Sequence, residues 1–317
     1  MSQLLIYIVY AILGLIGGIA LLAYSSDKAV EHSISIASRL RVSPFMIGLV
    51  IVSLGTDLPE ISNSIISSAI GHADINVGDS FGSILTQITL VLGLVAILGV
   101  TFKVKRDEVI VIGACEILAL IAAVSIVEKG YISRMNAFFL VASWPLLMLI
   151  VTNIIKKDYS IQNTDRRLHR HVAIAVIGYI GIALGAYVVV NSVVALSSLL
   201  YIDEYLISFF IVAIGTSLPE LAVDLTAIRK KQYEIAIGDA IGSCLVDASV
   251  SVGIGPLVSP ISPVTVSGGL AETTGLYALF ASAIVLSALA LRQRLDSKIG
   301  VLFLIVYGLS YAVFYIW

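Results

Sequence analysis

Residues 55–60 read Gly-Thr-Asp-Leu-Pro-Glu, and residues 78–83 read Gly-Asp-Ser-Phe-Gly-Ser. A near copy follows 160 positions later, as Gly-Thr-Ser-Leu-Pro-Glu at 215–220 and Gly-Asp-Ala-Ile-Gly-Ser at 238–243. Every copy carries an acid inside an otherwise apolar stretch, where an ionised carboxylate costs about 2.5–3.5 kcal/mol at the centre of a bilayer. The duplicated acids therefore indicate a cation site assembled from two halves of the chain.

The composition places the chain in a membrane. Hydrophobic residues make up 59% of its 317 positions and charged residues only 13%, with a mean hydropathy of +1.03. Soluble domains carry about 25% charged residues. We predict an all-α integral membrane protein with ten transmembrane helices, because ten apolar stretches reach the roughly 20 residues that cross a bilayer. The predicted spans are 3–25, 43–70, 76–100, 108–127, 135–155, 172–198, 205–228, 234–258, 270–291 and 297–316.

Basic residues sort to one side of these spans. The loops between spans 1–2, 3–4, 5–6, 7–8 and 9–10 hold 17 of the 19 Lys and Arg residues. By the positive-inside rule these loops are cytoplasmic, so we predict a multi-pass protein of the cell membrane with both termini extracellular. The basic loops are interpreted as determinants of topology, with no nucleic-acid partner. Cys115 and Cys244 both fall within spans, so no disulfide framework is predicted.

A polar stretch at 156–171 divides the chain into two halves, 1–155 and 172–317, with five predicted spans each. An odd number of crossings makes the second half enter the membrane from the opposite side. The sequence thus predicts two inverted five-helix repeats joined by a cytoplasmic linker, forming one membrane domain. Secondary transporters with inverted repeats bind their substrates near the midplane, at discontinuous helices.

Proline explains why the motif helices should be discontinuous. Pro59 and Pro219 have no N–H and clash with the carbonyl four residues earlier. We expect each helix to break there and to leave carbonyl oxygens of residues 53–56 and 213–216 without helical partners. Unpaired backbone at membrane depth is tolerated where it lines a cavity or finds another partner, and a cation is such a partner.

Oxygen-bearing side chains recur every four residues after each motif, and therefore share one helix face. They are Asp79, Ser83 and Gln87 in the first half and Asp239, Ser243 and Asp247 in the second. Hard oxygen ligands without histidine or thiolate suit Ca²⁺, Na⁺ or Mg²⁺. The residues alone leave the choice among these ions open.

The paired, ordered and equally spaced motifs resemble the α-repeats of the calcium/cation antiporter superfamily, especially its sodium/calcium exchanger branch of the prokaryotic type, without a large regulatory loop. The resemblance covers essentially the whole chain. It implies an alternating-access antiporter that exchanges Ca²⁺ for Na⁺, not an enzyme, with no cofactor. The implied partners are the lipid bilayer and the transported ions, with no obligate protein partner.

The resemblance also implies which residues hold ions. Carried over by position, the Ca²⁺ ligands are Glu60 and Glu220 with Thr56 and Thr216. The positions that hold coupling ions in sodium exchangers correspond to Ser53, Asp57, Ser83, Ala213, Ser217 and Ser243, and the central polar pair corresponds to Gln87 and Asp247.

Four positions depart from the family pattern. Asp57 replaces the usual Ser, Gln87 the usual Asn or Asp, and Asp79 and Asp239 the usual Asn. The site then holds up to six carboxylates, so some must be protonated or more cations must bind. Asp79 and Asp239 are expected either to lie outside the ligand shell as proton-coupled groups or to cap helices near the water interface.

Three alternatives stay open at this point. Surplus carboxylates favour a Ca²⁺/H⁺ antiporter or an exchanger of another divalent cation, and a carboxylate ring could form a cation channel. An intramembrane aspartyl protease is rejected, because Asn76 and Ala236 stand where Gly-x-Gly-Asp requires glycine. Asp224 is expected to be a solvated vestibule acid, and Glu116 either lines the cavity or pairs with a neighbour.

Overall fold

A computed structural model describes residues 2–40, 43–154, 168–197 and 204–315. The first half alternates α-helix with two π-helical segments, π1 and π2, and ends with two long helices. Its elements are α1 (Ser2–Leu40), α2 (Pro44–Ile47), π1 (Gly48–Val52), α3 (Ser53–Thr56), α4 (Leu58–Ala69), α5 (Ala73–Leu85), π2 (Thr86–Val91), α6 (Leu92–Leu98), β1 (Phe102–Lys103), α7 (Arg106–Val127), β2 (Tyr131–Ile132) and α8 (Arg134–Ile154).

The second half repeats this order element by element. Its elements are α9 (Leu168–Ser197), α10 (Glu204–Ile207), π3 (Ser208–Val212), α11 (Ala213–Thr216), α12 (Leu218–Arg229), α13 (Tyr233–Val246), π4 (Asp247–Ser251), α14 (Val252–Val258), β3 (Val264–Thr265), α15 (Gly268–Arg292), β4 (Arg294–Leu295) and α16 (Ser297–Tyr315). The π-helical segments π1 and π3 share the 160-residue offset of the motifs. Such segments are rare and frequently occur at functional sites.

The long helices carry the protein across the membrane. Among the described residues, seven helices are long and apolar enough to span it, or eight when the bent pair Pro44–Thr56 and Leu58–Ala69 counts as one. The helices at the predicted first and sixth spans, α1 and α9, have 39 and 30 residues. At a rise of about 1.5 Å per residue, both exceed the hydrocarbon thickness. The count of ten stays a prediction.

The structure corrects two boundaries of the predicted spans. Helix α1 continues through Leu40 instead of ending near residue 25, and an ion pair from Lys28 Nζ to Glu31 Oε2 (3.3 Å) lies on this continuation. Helix α9 begins at Leu168, inside the predicted linker, most of which lies outside the described residues. Polar residues one turn apart can support a helix beyond the bilayer, which hydropathy alone does not indicate.

Short strands cross-connect the halves, an addition to the all-α prediction. Strand β1 pairs antiparallel with β4, and β2 pairs antiparallel with β3. The first pair joins the loops between predicted spans 3–4 and 9–10, and the second joins the loops 4–5 and 8–9. Each pair therefore connects loops that are predicted to share one side of the membrane. Their orientation relative to the membrane stays a prediction.

Glycines let the motif helices of the two halves meet backbone to backbone. A Cβ at Gly48 would overlap the carbonyl oxygen of Ile235, and a Cβ at Gly82 would overlap that of Phe209. Segment π1 thus lies directly on α13, and segment π3 on α5. Small residues at helix contacts are the usual way for membrane helices to approach closely.

We predict that Gly82→Ala destabilises the protein by about 1–3 kcal/mol, because the added methyl group has no space beside Phe209. The measurement is thermal unfolding of the purified protein in detergent. The control is Gly308→Ala, where a Cβ meets no atom within 4 Å. Equal melting temperatures for the two variants would contradict the packing described here.

Candidate cation site

Three carboxyl groups meet at the centre of the molecule. Asp57, Glu60 and Glu220 each offer one oxygen, and these three oxygens all lie within 4.8 Å of one another. The side chains are at most 1% exposed. None of their six carboxyl oxygens has a hydrogen-bond donor within the described part of the chain. Both halves of the chain thus contribute to one buried oxygen cluster, named here the central cluster.

Helix breaks place these groups. Asp57 lies between α3 and α4 with φ −75° and ψ 5°, outside helical geometry, and the helical segments Pro44–Thr56 and Leu58–Ala69 are bent by 43° at this point. Glu60 and Glu220 occupy the first turns of α4 and α12. The positive end of the helix dipole is favourable for carboxylates at such positions. The breaks therefore turn the three acids toward a common point.

Fewer backbone carbonyls are free than the sequence suggested. The N–H of Asp57 donates to the carbonyl of Ser53 (2.9 Å), and that of Ser217 donates to Ala213 (3.0 Å). The expectation of four free carbonyls in each motif is thus wrong for Ser53 and for Ala213, whose carbonyls accept helical hydrogen bonds. Because proline lacks an N–H, only the carbonyl four residues before it loses its helical donor. That carbonyl belongs to Gly55 in the first half and to Gly215 in the second.

The threonine of each motif reaches the polar stripe of the opposite half. Thr216 Oγ1 donates to Asp79 Oδ1 (3.0 Å) and lies 3.2 Å from Ser83 Oγ. Thr56 Oγ1 donates to Asp239 Oδ1 (3.3 Å) and lies 3.4 Å from Ser243 Oγ. These contacts tie α3 to α13 and α11 to α5 around the central cluster.

Asp79 and Asp239 do not cap helices at the water interface. Both are at most 1% exposed and lie in the middle of α5 and α13. Asn63 Nδ2 donates to Asp79 Oδ2 at 2.6 Å, so both oxygens of Asp79 have partners. Asn63 follows Glu60 by three residues, on the same helix face, and this spacing is the signal that sequence reasoning missed.

The remaining predicted positions differ in what they offer. Asp247 and Gln87 are fully buried at the start of π4 and within π2, and their polar atoms make no hydrogen bond of good geometry to the described residues. Asp247 is close enough to Glu220 to interact electrostatically. Ser53 Oγ donates to the Leu49 carbonyl (2.6 Å), and Ser217 Oγ has no described partner. Ala213 is buried and brings no side-chain oxygen.

Two further acids have a different place from the one expected. Asp224 is fully buried beside Asp239, not solvated. It follows Glu220 by one helical turn, and this spacing indicates the same buried helix face. The basic residues at 229–231 had suggested solvent exposure instead. Glu116 on α7 accepts a hydrogen bond from Ser282 Oγ on α15 (2.8 Å), which makes it the partner of a neighbouring helix.

Among the described residues, no basic side chain forms an ion pair with the buried acids of the site. The ion pairs among the described residues lie elsewhere, as the pair between Lys230 Nζ and Asp27 Oδ1 does (3.0 Å). An unpaired charge in a protein interior costs several kcal/mol even after relaxation. The clustered acids therefore require bound cations or protons.

A cavity lies between α4 and α9 and reaches Asn63 and Thr216, the two hydrogen-bond partners of Asp79. It has a volume of about 530 Å³. Its walls are mostly apolar, and Asn63 and Thr216 contribute polar groups. It is lined by Leu58, Pro59, Ser62, Asn63, Ile66, Ile180, Leu184, Tyr187, Val212 and Thr216. On the other side α1 packs along α12, the counterpart of α4.

Comparison with known proteins gives consistent results. The sequence profile of a family described as "Sodium/calcium exchanger protein" matches residues 10–153 and 170–316. The inner membrane protein YrbG of Escherichia coli is 30% identical over 260 residues, covering 78% of this chain and 79% of the relative. The sodium/calcium exchanger MaX1 of Methanosarcina acetivorans is 28% identical over 287 residues, covering 77% and 82%. The solved sodium-calcium exchanger NCX_Mj superposes with a TM-score of 0.79 at 27% identity, covering 96% of this chain and 98% of that chain.

We predict that Ca²⁺ stabilises the folded protein through the central cluster. At a Ca²⁺ concentration 100 times the dissociation constant, the gain is about 2.7 kcal/mol, because the ion binds only the folded state. Glu220→Gln should lose this gain. The measurement is the shift in melting temperature with and without Ca²⁺, and exposed Glu272→Gln serves as the control. An unchanged Ca²⁺-induced shift in Glu220→Gln would exclude Glu220 as a ligand.

Proposed function

Because this chain belongs to the sodium/calcium exchanger family of integral membrane cation antiporters, we propose that it moves Ca²⁺ across the cell membrane in exchange for Na⁺ by alternating access. The central cluster is the transport site. The observation that carries this proposal is the approach of Asp57, Glu60 and Glu220, buried and without donors, to within 4.8 Å. Their oxygens are the ligand type that Ca²⁺ and Na⁺ prefer.

The negative charge of the central cluster couples the transport of Ca²⁺ to that of Na⁺. An empty cluster carries uncompensated negative charge, which makes its passage through an occluded, low-dielectric state costly. A cluster neutralised by Ca²⁺ or by Na⁺ can pass. Because both ions compete for the same oxygens, each crossing carries one ion type, and the result is exchange without leak.

The cavity supports an outward-facing conformation. Helix α9 begins within the predicted cytoplasmic linker, so its cavity residues Ile180, Leu184 and Tyr187 lie progressively toward the predicted extracellular end. The cavity keeps this part of α9 away from α4. In the inward-facing state we expect α9 to close on α4 while α1 leaves α12.

Helices α1 and α9 form the moving pair in this mechanism. Ser33 Oγ on α1 lies 2.9 Å from the hydroxyl of Tyr179 on α9, and His32 Nδ1 lies 2.8 Å from His171 Nδ1. The ring of Tyr179 rests directly on Gly55, beside the helix break. A movement of α1 and α9 is therefore transmitted to the central cluster through the contact of Tyr179 with Gly55.

Proton coupling is the second candidate function, and Asp57 is the observation that favours it. One oxygen of Asp57 lies within 4.8 Å of one oxygen of Glu220, so the two acids are close enough for a small shift to let them share one proton. Sodium exchangers of the family have a hydroxyl at this position. A proton on this pair would lower the negative charge of the cluster as a sodium ion does.

We expect a sodium gradient to drive Ca²⁺ uptake into vesicles containing the wild-type protein, and a pH gradient alone to drive none. The assay applies each gradient separately and follows Ca²⁺ uptake, with Asp57→Ser beside wild type. Uptake driven by the pH gradient in wild type and lost in Asp57→Ser would replace Na⁺ with H⁺ as the coupling ion.

We expect Glu60→Gln and Glu220→Gln each to weaken Ca²⁺ transport at least about tenfold, or 1.4 kcal/mol, because an amide cannot supply the anionic oxygen. Initial rates of exchange across a range of Ca²⁺ concentrations measure this. Glu116→Gln is the matched control, since it alters a buried acid that is bonded to Ser282. Full exchange by both motif variants would refute the proposed site.

A further inference from the structure

The equivalent acids Asp79 and Asp239 have different hydrogen-bond partners in the two halves. In the first half, Asp79 Oδ2 accepts from the amide of Asn63 (2.6 Å) and Oδ1 accepts from Thr216 (3.0 Å). In the second half, the residue 160 positions after Asn63 is Val223, and the next residue is Asp224. Asp239 thus faces a carboxyl group in place of an amide donor.

In the first half both oxygens of Asp79 have hydrogen-bond donors, whereas its counterpart Asp239 lacks a described donor at one oxygen. Asp224 and Asp239 are both 0% exposed, lie on helices α12 and α13, which pack against each other, and are close enough to interact electrostatically. Neither oxygen of Asp224, nor Oδ2 of Asp239, has a hydrogen-bond donor among the described residues. Two adjacent carboxyl groups in this environment need a cation or a shared proton, because the desolvation of each charge costs several kcal/mol.

From this asymmetry we infer that Asp224 and Asp239 form a second binding site, next to the central cluster, for a divalent cation of the Ca²⁺ type. Two carboxylates balance the charge of one such ion. Their four oxygens, together with the hydroxyl of Thr56 beside Asp239 and that of Ser243 beside Thr56, offer up to six oxygen ligands. Ca²⁺ takes 6–8 oxygens, whereas no histidine or thiolate in this group would favour a softer metal.

The spacing of the hydroxyls fits a ligand shell. Thr56 Oγ1 lies 3.3 Å from Asp239 Oδ1 and 3.4 Å from Ser243 Oγ. Oxygens at right angles around Ca²⁺, each at about 2.4 Å, are separated by about 3.4 Å. The equivalent contacts of Thr216 in the first half are 3.0 Å to Asp79 and 3.2 Å to Ser83.

The position gives the site a role. Asp224 lies one turn beyond Glu220 along α12, about 6 Å nearer the basic end of that helix at residues 229–231. That end belongs to a loop predicted to be cytoplasmic. A divalent ion arriving from the cytoplasm would therefore meet Asp224 and Asp239 before it reaches the central cluster. The site acts as a holding position for the next ion to be transported, which rests on the proposed exchange function.

The test counts bound ions at equilibrium, with radioactive Ca²⁺ and the full-length protein in detergent at saturating concentration. We expect two Ca²⁺ ions per wild-type chain and one per chain in Asp224→Asn. Asp239→Asn should also bind one, which provides a second variant if the first folds poorly. Glu116→Gln should bind two.

Removing the central site separates this inference from the proposed function. Glu60→Gln should keep one ion, and the double variant Glu60→Gln with Asp224→Asn should bind none. If Glu60→Gln still binds two ions, the central cluster is wrong while the second site is tested by Asp224→Asn alone. A single ion per wild-type chain that is lost in Glu60→Gln, or two ions in Asp224→Asn, would overturn the second site and leave the central cluster standing.

Discussion

Mutual repulsion among Asp57, Glu60 and Glu220 is the constraint around which the protein is organised. These acids are buried together, and none forms an ion pair with a basic side chain of the described chain. The surrounding structure does not relieve this repulsion by itself. It holds the groups close enough that a bound cation or proton must do so, and in the proposed function the free energy of the empty site is what makes exchange obligatory.

Several local features exist to maintain that arrangement. Proline at the second position of α4 and α12 starts a new helix after each break, and glycines bring π1 onto α13 and π3 onto α5. The motif threonines then join each break to the opposite half through Asp79 and Asp239. A carboxylate site made from two halves requires rigid contacts between them, because an error of 1 Å would change which oxygens reach one ion.

Much of this could be predicted from sequence, for identifiable reasons. Hydropathy located the long helices, and the duplicated motifs singled out Glu60 and Glu220, which the fold brings together. Their roles as ligands stay predictions. Sequence reasoning failed for Asp224, because charge near a helix end suggested solvent exposure, whereas burial depends on how α12 packs against α13. The π-helical segments were also missed, since no residue type signals them.

The strand pairs β1–β4 and β2–β3 have a consequence for the membrane around the protein. Both ends of α7, and the corresponding ends of α15, are fastened through these pairs to loops of the opposite half. The helices between them form a fixed body, whereas α1 and α9 contact each other and carry no such fastening among the described strands. In the proposed mechanism, each transport cycle therefore displaces lipid mainly around α1 and α9, and the viscosity and thickness of the bilayer affect turnover through these two helices.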